Sequence, residues 1–291
     1  MKSPAEQNVF RKQLGDFELI SVSDGFFYLD GGAMFGIVPK PLWERRIPAD
    51  ERNRIRMGLR PLLVRTPAGS LLVDTGVGDR LSEKERDIYA VEHPPDLFGS
   101  LEAAGVDPAE IRFVVNTHLH FDHAGGNTIA GEGGRLRPAF PGATYVVQEK
   151  EWEAAISPSE RSRASYRPGD VLPLEEAGVL ERVAGRVELL EGVTLLPTPG
   201  HTAGHQSVRV DSGGETALYF GDTIPTCAHL DPPWVMAYDL FPLETVERKK
   251  ALLEDAARER WLVVFEHDPD RAFACVVKKG KRYRLDEDER T

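Results

Sequence analysis

Cysteine is nearly absent. Cys227 and Cys275 are the only two in 291 residues, which excludes a disulfide framework and a thiolate zinc site and makes a reducing compartment the economical assumption. Positive charge is also in short supply: Lys plus Arg number 36 against 47 Asp plus Glu, a formal net charge of −11, which opposes loose binding to nucleic acid or an anionic membrane. No apolar run approaches the roughly 18 residues of a membrane span, and Met1 to Phe10 lacks the basic start and apolar stretch of an export signal. Internal repeats, low-complexity tracts, a phosphate-cradling glycine loop, a GxSxG elbow and a dinucleotide fingerprint are likewise missing. These absences point to a cytoplasmic protein with no nucleic-acid or membrane partner, in which any metal is held by histidine and carboxylate.

What is there suits a chain with a sizeable core: 41% hydrophobic and 29% charged residues. Strand-like and helix-like segments alternate. Arg60 to Arg65 and Ser70 to Asp74 flank Thr66-Pro67-Ala68-Gly69, and Gln206 to Val210 and Thr216 to Phe220 flank Asp211 to Glu215, so both pairs predict hairpins. Leu97 to Ala104, Glu149 to Ile156 and Leu243 to Arg260 predict helices, the last with an apolar stripe at 243, 246, 252, 253, 256 and 257. Ile111 to Asn116, Thr144 to Val147, Val193 to Leu196 and Trp261 to Phe265 read as strands. Lys278 to Arg284 reads as a closing hairpin, followed by a charged, solvated tail from Asp286 to Arg290. Between residues 25 and 60 the chain reads as an irregular extension rich in large apolar residues, the kind of long loop that borders an active site or a partner.

Four strand ends carry histidine or aspartate: residues 118–123, 201, 222 and 267. Of eight histidines in the chain, His118, His120 and His123 fall within six positions together with Asp122. In an extended segment side chains at i and i+2 share a face, so His118 and His120 can hold one ion. A turn into helix after them swings Asp122 and His123 toward a second. Imidazole and carboxylate suit zinc, with manganese, iron or cobalt as alternatives.

Thr117 to His123 followed by Gly125-Gly126, Pro199-Gly200-His201-Thr202-Ala203-Gly204-His205, Gly221-Asp222 and Glu266-His267 together resemble the metallo-β-lactamase superfamily, over about Arg60 to His267. The resemblance implies an α/β fold, an αββα sandwich of two mixed β-sheets flanked by helices, formed by 1–291 as one domain. It implies that His118, His120 and His201 bind a first metal, that Asp122, His123 and His267 bind a second, and that Asp222 bridges them. His205 is then a hydrogen-bonding brace, and Asp74 a residue that orients the metal loops. His93 is expected in a surface loop. Two divalent cations about 3.5 to 4 Å apart ionise a shared water, which makes hydrolysis the reaction class, with Asp122 and Asp222 the catalytic carboxylates.

Asp30-Gly31-Gly32-Ala33-Met34-Phe35-Gly36, Val38 to Trp43 and His118 to Asn127 look like the quorum-quenching acyl-homoserine lactonase branch, which implies a lactone substrate attacked at its carbonyl. Met34, Phe35, Trp43, Phe121, Thr226, His229 and Tyr238 are the candidate pocket residues. That branch places a tyrosine three residues after the bridging aspartate, and here the position is Pro225; phosphotriester and aryl or carboxyl ester hydrolysis therefore stay open. Thioester hydrolysis of the glyoxalase II type shares the metal site but expects a helical substrate domain, and only 24 residues follow His267. A non-catalytic metal-binding module would need an incomplete second site. Seven basic residues in 40–60 (Lys40, Arg45, Arg46, Arg52, Arg54, Arg56, Arg60) against three acidic ones could serve a nuclease, yet the net charge favours a solvated or paired patch. Met34, Phe35 and Trp43, read as exposed, suggest a homodimer contact.

Overall fold

The computed structural model describes residues 3–287; of the charged tail, 288–290 lie outside the described residues. Two seven-stranded sheets face each other. The first runs in the order Phe10–Leu14, Phe17–Ser21, Leu62–Thr66, Gly69–Val73, Ile111–Val115, Thr144–Gln148, Leu180–Val183. The second runs Val187–Leu190, Val193–Pro197, Gln206–Ser212, Glu215–Tyr219, Leu262–Val264, Phe273–Lys279, Arg282–Leu285. Both are mixed: Ile111–Val115 is parallel to Gly69–Val73 and to Thr144–Gln148, and Leu262–Val264 is parallel to Glu215–Tyr219, while hairpins supply antiparallel neighbours.

Alternation along the strands sorts three apolar layers. Leu62, Val64, Leu71, Val73, Val115 and Val146 turn inward to meet Val193, Leu195, Val208, Val210 and Val264 of the facing sheet. Their neighbours Leu63, Leu72, Val114 and Tyr145 turn outward and are covered by Leu97 and Leu101 of the helix Leu97–Ala103 and by Leu174 of Pro168–Glu176. On the far side Leu218, Phe220, Val263 and Val276 pack under Leu253 and Ala256 of Pro242–Glu259. Strands apolar on both faces are what a four-layer sandwich requires, and the αββα architecture is as expected.

The helix stripe differs from its prediction at one end. Leu243 is 81% exposed, and the buried face carries Thr245 and Lys249. Lys249 tolerates burial because its ammonium donates to the carbonyls of His229 at 2.7 Å and Trp234 at 2.5 Å.

The segment expected to be irregular is ordered. Phe26–Asp30 pairs antiparallel with Arg54–Gly58, and between them lie the helices Gly31–Phe35, capped by Asp30, whose carboxylate accepts from the amide of Ala33 at 2.8 Å, and Lys40–Trp43. Met34, Phe35 and Trp43 are buried, not exposed. They form a satellite core with Ile55, Met57, Leu81 and Met236, which removes the motive for placing a dimer contact there. The basic residues of this segment are mostly paired: Arg46 with Asp231, Arg54 with Asp50, Arg56 with Glu92 and Arg52 with Asp87. Arg60 is buried and donates to the carbonyls of Asp268 and Pro269. His93 is half-buried rather than a free surface residue, because its Nε2 lies 2.7 Å from the carbonyl of Asp24. Among the described residues no helix is long and apolar enough to cross a membrane.

Candidate metal centre

The cluster gathers where strands of both sheets end. Ile111–Val115 delivers His118 and His120 and then the short helix Phe121–Ala124, which carries Asp122 and His123. Val193–Pro197 leads to His201, Glu215–Tyr219 to Asp222 and Leu262–Val264 to His267. Two glycines let these loops close. Gly221 has φ +55°, and a Cβ there would stand 2.7 Å from His205 Nε2. A Cβ at Gly125 would stand 2.2 Å from the carbonyl oxygen of Val77, so only glycine lets the two turns touch.

All seven side chains are buried and converge. Three overlapping sets bring their ligand atoms within 4.8 Å of one another: His118, His120 and His201; His118, His123 and Asp222; Asp122, His123 and His267. Asp222 stands between them with its two oxygens divided. Oδ2 lies 3.3 Å from His201 Nε2, whereas Oδ1 lies 3.2 Å from His267 Nε2 and 3.5 Å from His123 Nε2. Asp122 Oδ2 lies 3.7 Å from His267 Nε2 and 3.9 Å from His123 Nε2.

The chemistry of this donor set fits cations. His120 Nδ1 faces His201 Nε2 at 3.1 Å, and His123 Nε2 faces His267 Nε2 at 3.1 Å; two imidazole lone pairs at that distance need a proton or a cation between them. His118 Nε2, His120 Nε2 and Asp222 Oδ1 are buried with no hydrogen-bond partner, a cost that ligation removes. The titration behaviour agrees. Burial, then the neighbouring imidazoles, hold His118 and His120 well below the ordinary histidine range. At His267 burial favours the neutral ring, but Asp222, then Glu266, outweigh it and push it up to about 9. His123 and His201 are raised against burial by their own carboxylates. Asp222 is held far down despite burial by His123, His267 and His201. The carboxylates thus call for positive charge in the middle of the cluster.

The outward nitrogens are fixed by groups that set their tautomers. His201 Nδ1 meets Asp239 Oδ1 at 2.9 Å, His267 Nδ1 donates to the carbonyl of Gly58 at 2.9 Å, and His118 Nδ1 lies 3.1 Å from Thr117 Oγ1. His123 Nδ1 faces two carboxylates, Glu266 at 2.8 Å and Asp74 at 3.1 Å. Asp74 also accepts from the amide and hydroxyl of Thr117, each at 2.7 Å, the loop-orienting position expected of it. His205 braces: its Nδ1 lies 2.8 Å from Thr198 Oγ1, and its Nε2 accepts from the amide of Asp222 at 3.1 Å.

Above the cluster opens a cleft of about 590 Å³, its mouth included, walled by Leu29, Met34, Met57, Phe121, Met236, Tyr89 and Tyr238. Of the predicted pocket residues, Met34, Phe121 and Tyr238 line it. Phe35 and Trp43 do not: they stack on each other at 5.3 Å behind the wall, and Phe35 stacks again on His229 at 4.4 Å. Thr226 and His229 are also behind it. They are bonded to each other at 2.8 Å, and His229 Nε2 meets the carbonyl of Met34 at 2.9 Å, so neither has a polar atom to spare for a ligand.

Sequence reasoning missed Asp239, Glu151, Tyr89, Leu29, Met57, Met236 and the 164–166 segment, and gave Glu266 no role. Glu151 alone had a signal, a carboxylate one turn before Ala155 on the buried stripe of its helix.

The metallo-beta-lactamase superfamily model matches residues 61–267. The chain belongs to the metallo-β-lactamase superfamily. As a member it is a metal-dependent hydrolase, and its αββα fold is that of the superfamily. It is similar to the N-acyl homoserine lactonase AiiA of Bacillus thuringiensis subsp. kurstaki, 28% identical over 236 residues that cover 74% of this chain and 83% of the relative. A solved structure of a probable metal-dependent hydrolase from Staphylococcus aureus is 32% identical, with a TM-score of 0.87 over 95% of this chain and 99% of the other. AidC, a dizinc quorum-quenching lactonase solved with a product, shares the fold at 21% identity, with a TM-score of 0.80 over 98% of each chain.

Proposed function

We propose that this superfamily member is a dinuclear zinc lactonase that opens N-acyl homoserine lactones. The observation that carries the reading is the divided carboxylate of Asp222, one oxygen toward His201 and the other toward His123 and His267, set beneath an apolar cleft. His118, His120 and His201 would hold one cation and Asp122, His123 and His267 the other. When bound, such a pair supplies an ionised water at neutral pH and polarises the attacked carbonyl. Asp122, which lines the cleft, would be the carboxylate that orients the attacking water and passes a proton to the leaving hydroxyl. The acyl chain lies against Met34, Met57 and Met236, three of the chain's four methionines, flexible thioethers that adapt to varied apolar groups. Tyr89 and Tyr238 line the cleft with their phenols, where Pro225 offers no hydroxyl.

The same reading treats the chain as one cytoplasmic catalytic unit acting on a small diffusible substrate, without nucleic acid or membrane. A homodimer through the 31–60 segment would use its exposed Ile37 and Leu42 rather than the buried Met34, Phe35 and Trp43, and a solution mass measurement checks it. A second reading, phosphotriester or aryl ester hydrolysis, is favoured by Pro225 alone. Purified protein assayed on two acyl-homoserine lactones of different chain length, a phosphotriester and a glutathione thioester, with metal content measured on the same sample, separates the two. Faster turnover of the phosphotriester than of both lactones would replace the first reading with the second.

A further inference from the structure

Outside the cluster, one buried carboxylate touches three separate pieces of the site. Glu151 sits in the first turn of the helix Glu149–Ile156 and is fully buried. Its Oε1 accepts from the backbone amide of Leu119 at 3.0 Å, the residue between His118 and His120, and from the hydroxyl of Tyr166 at 2.9 Å. Its Oε2 accepts from Thr202 Oγ1 at 2.5 Å, the residue after His201. The ring of Tyr166 stands edge-on to His120 at 4.8 Å. Next to it, the carbonyl of Ser165 accepts from the amide of Phe121 at 2.8 Å, and Ala164 and Ser165 line the cleft. The loop after His201 is pressed onto this helix: a Cβ at Gly204 would stand 2.1 Å from the amide nitrogen of Glu151.

We propose that Glu151 is a positioning residue that locks the His118–His120 loop, the His201 loop and the 164–166 wall of the cleft into one unit. Both loops that carry the first set are held by it, the His118–His120 loop through the amide of Leu119 and the His201 loop through Thr202, while Asp239 and Thr117 orient the rings of His201 and His118 themselves. Glu151 makes no such bond to the second set, where Asp74 and Glu266 face His123 and the carbonyl of Gly58 meets His267. A carboxylate that accepts three charge-assisted hydrogen bonds from three segments holds them more tightly than neutral contacts would. Tyr166 extends the same lock to the substrate side, so that the first metal position and the wall that faces the acyl group are set together. This inference rests on the metal-dependent reading of the cluster.

The test is stepwise removal of zinc by a chelator from the loaded protein, read as metal content rather than turnover. Glu151→Gln keeps the shape and removes the charge; one of the two ions should then be lost about 10- to 100-fold more readily, the scale for a residue that orients a ligand, while the other holds within about threefold. Thr202→Val should weaken the same ion about tenfold, and it serves if Glu151→Gln fails to fold. Tyr166→Phe should leave both ions unchanged and raise KM for the lactone several-fold. Retention of both ions at wild-type affinity in Glu151→Gln and Thr202→Val, or equal weakening of both ions, overturns the proposal. Wild-type protein that binds no divalent metal overturns this proposal and the functional reading together; a metal-loaded wild type that is inert on lactones touches only the substrate assignment.

Discussion

The two sides of the cleft are held by different forces. On the metal side, every imidazole is fixed at its outer nitrogen or its neighbouring backbone by a charged or polar partner: Asp239, Gly58, Glu266, Asp74, Thr117 and, through the loops, Glu151. On the facing side, Leu29, Met34, Met57 and Met236 are held by packing over Phe35, Trp43 and Ile55. Hydrogen bonds of fixed geometry suit groups that must meet a cation to within tenths of an ångström. Dispersion between flexible side chains suits a surface that accommodates ligands of varied shape. One molecule thus pairs a rigid floor with an adaptable wall.

The sharpest break is on the floor. Asp222→Ala removes the carboxylate shared by both sets, so elemental analysis should show loss of metal, and kcat should fall on the order of 10³-fold or more. Full turnover with unchanged metal would end the distinction between the two sides. Next comes the wall: Phe35→Ala empties the stack between Trp43 and His229 and should cost about 3–5 kcal/mol in denaturant unfolding. The metal content of the folded fraction should remain intact. A third test returns to the floor, where Asp239→Asn should weaken metal binding about 10- to 100-fold in chelator competition with little change in thermal stability.

The wall also carries a pH signature. Burial, then the charge of Lys249, lowers His229 to about 3, against an ordinary value near 6.5. The folded state therefore takes up its proton later than the unfolded chain does. The stability this gives is complete above about pH 6.5 and declines as pH falls from there toward 3. The loss at pH 5 is about 2 kcal/mol, and denaturant midpoints of wild type and His229→Gln at pH 7 and pH 5 should converge by that amount. The smallest effect lies away from both sides. Arg52→Ala breaks an exposed pair with Asp87 and should move stability by no more than about 0.5 kcal/mol.

Legibility followed contact range. His118, His120, Asp122 and His123 were readable because their spacing is local and follows an apolar strand. His201, Asp222 and His267 were readable only as motifs, since nothing in their own neighbourhoods says that they meet. Asp239 was invisible, and the stripe that carries Glu151 told only of burial and not of its role: their partners lie 38 and 32 residues away, at His201 and Leu119. The 25–60 segment was misread for the same reason. Its strands Phe26–Asp30 and Arg54–Gly58 pair with each other across an insertion of Gly, Pro and bulky apolar residues that lacks helical or strand period, and further backbone bonds reach beyond the segment, from Phe26 to Glu92 and from Gly58 to His267. Its Trp and Phe looked like a surface patch until Met236 and His229, almost 200 residues later, were seen to pack on them.

The sequence by itself determined the ligand chemistry, imidazole and carboxylate without thiolate, and the alternation of apolar residues that stacks two sheets between helices. Both are local properties, written in spacing a few residues long. Tertiary structure alone decided which oxygen of Asp222 faces which histidines, which apolar side chains line the cleft rather than support it, and which carboxylates hold the imidazoles in place. Those depend on distances between segments that only the closed sandwich brings together.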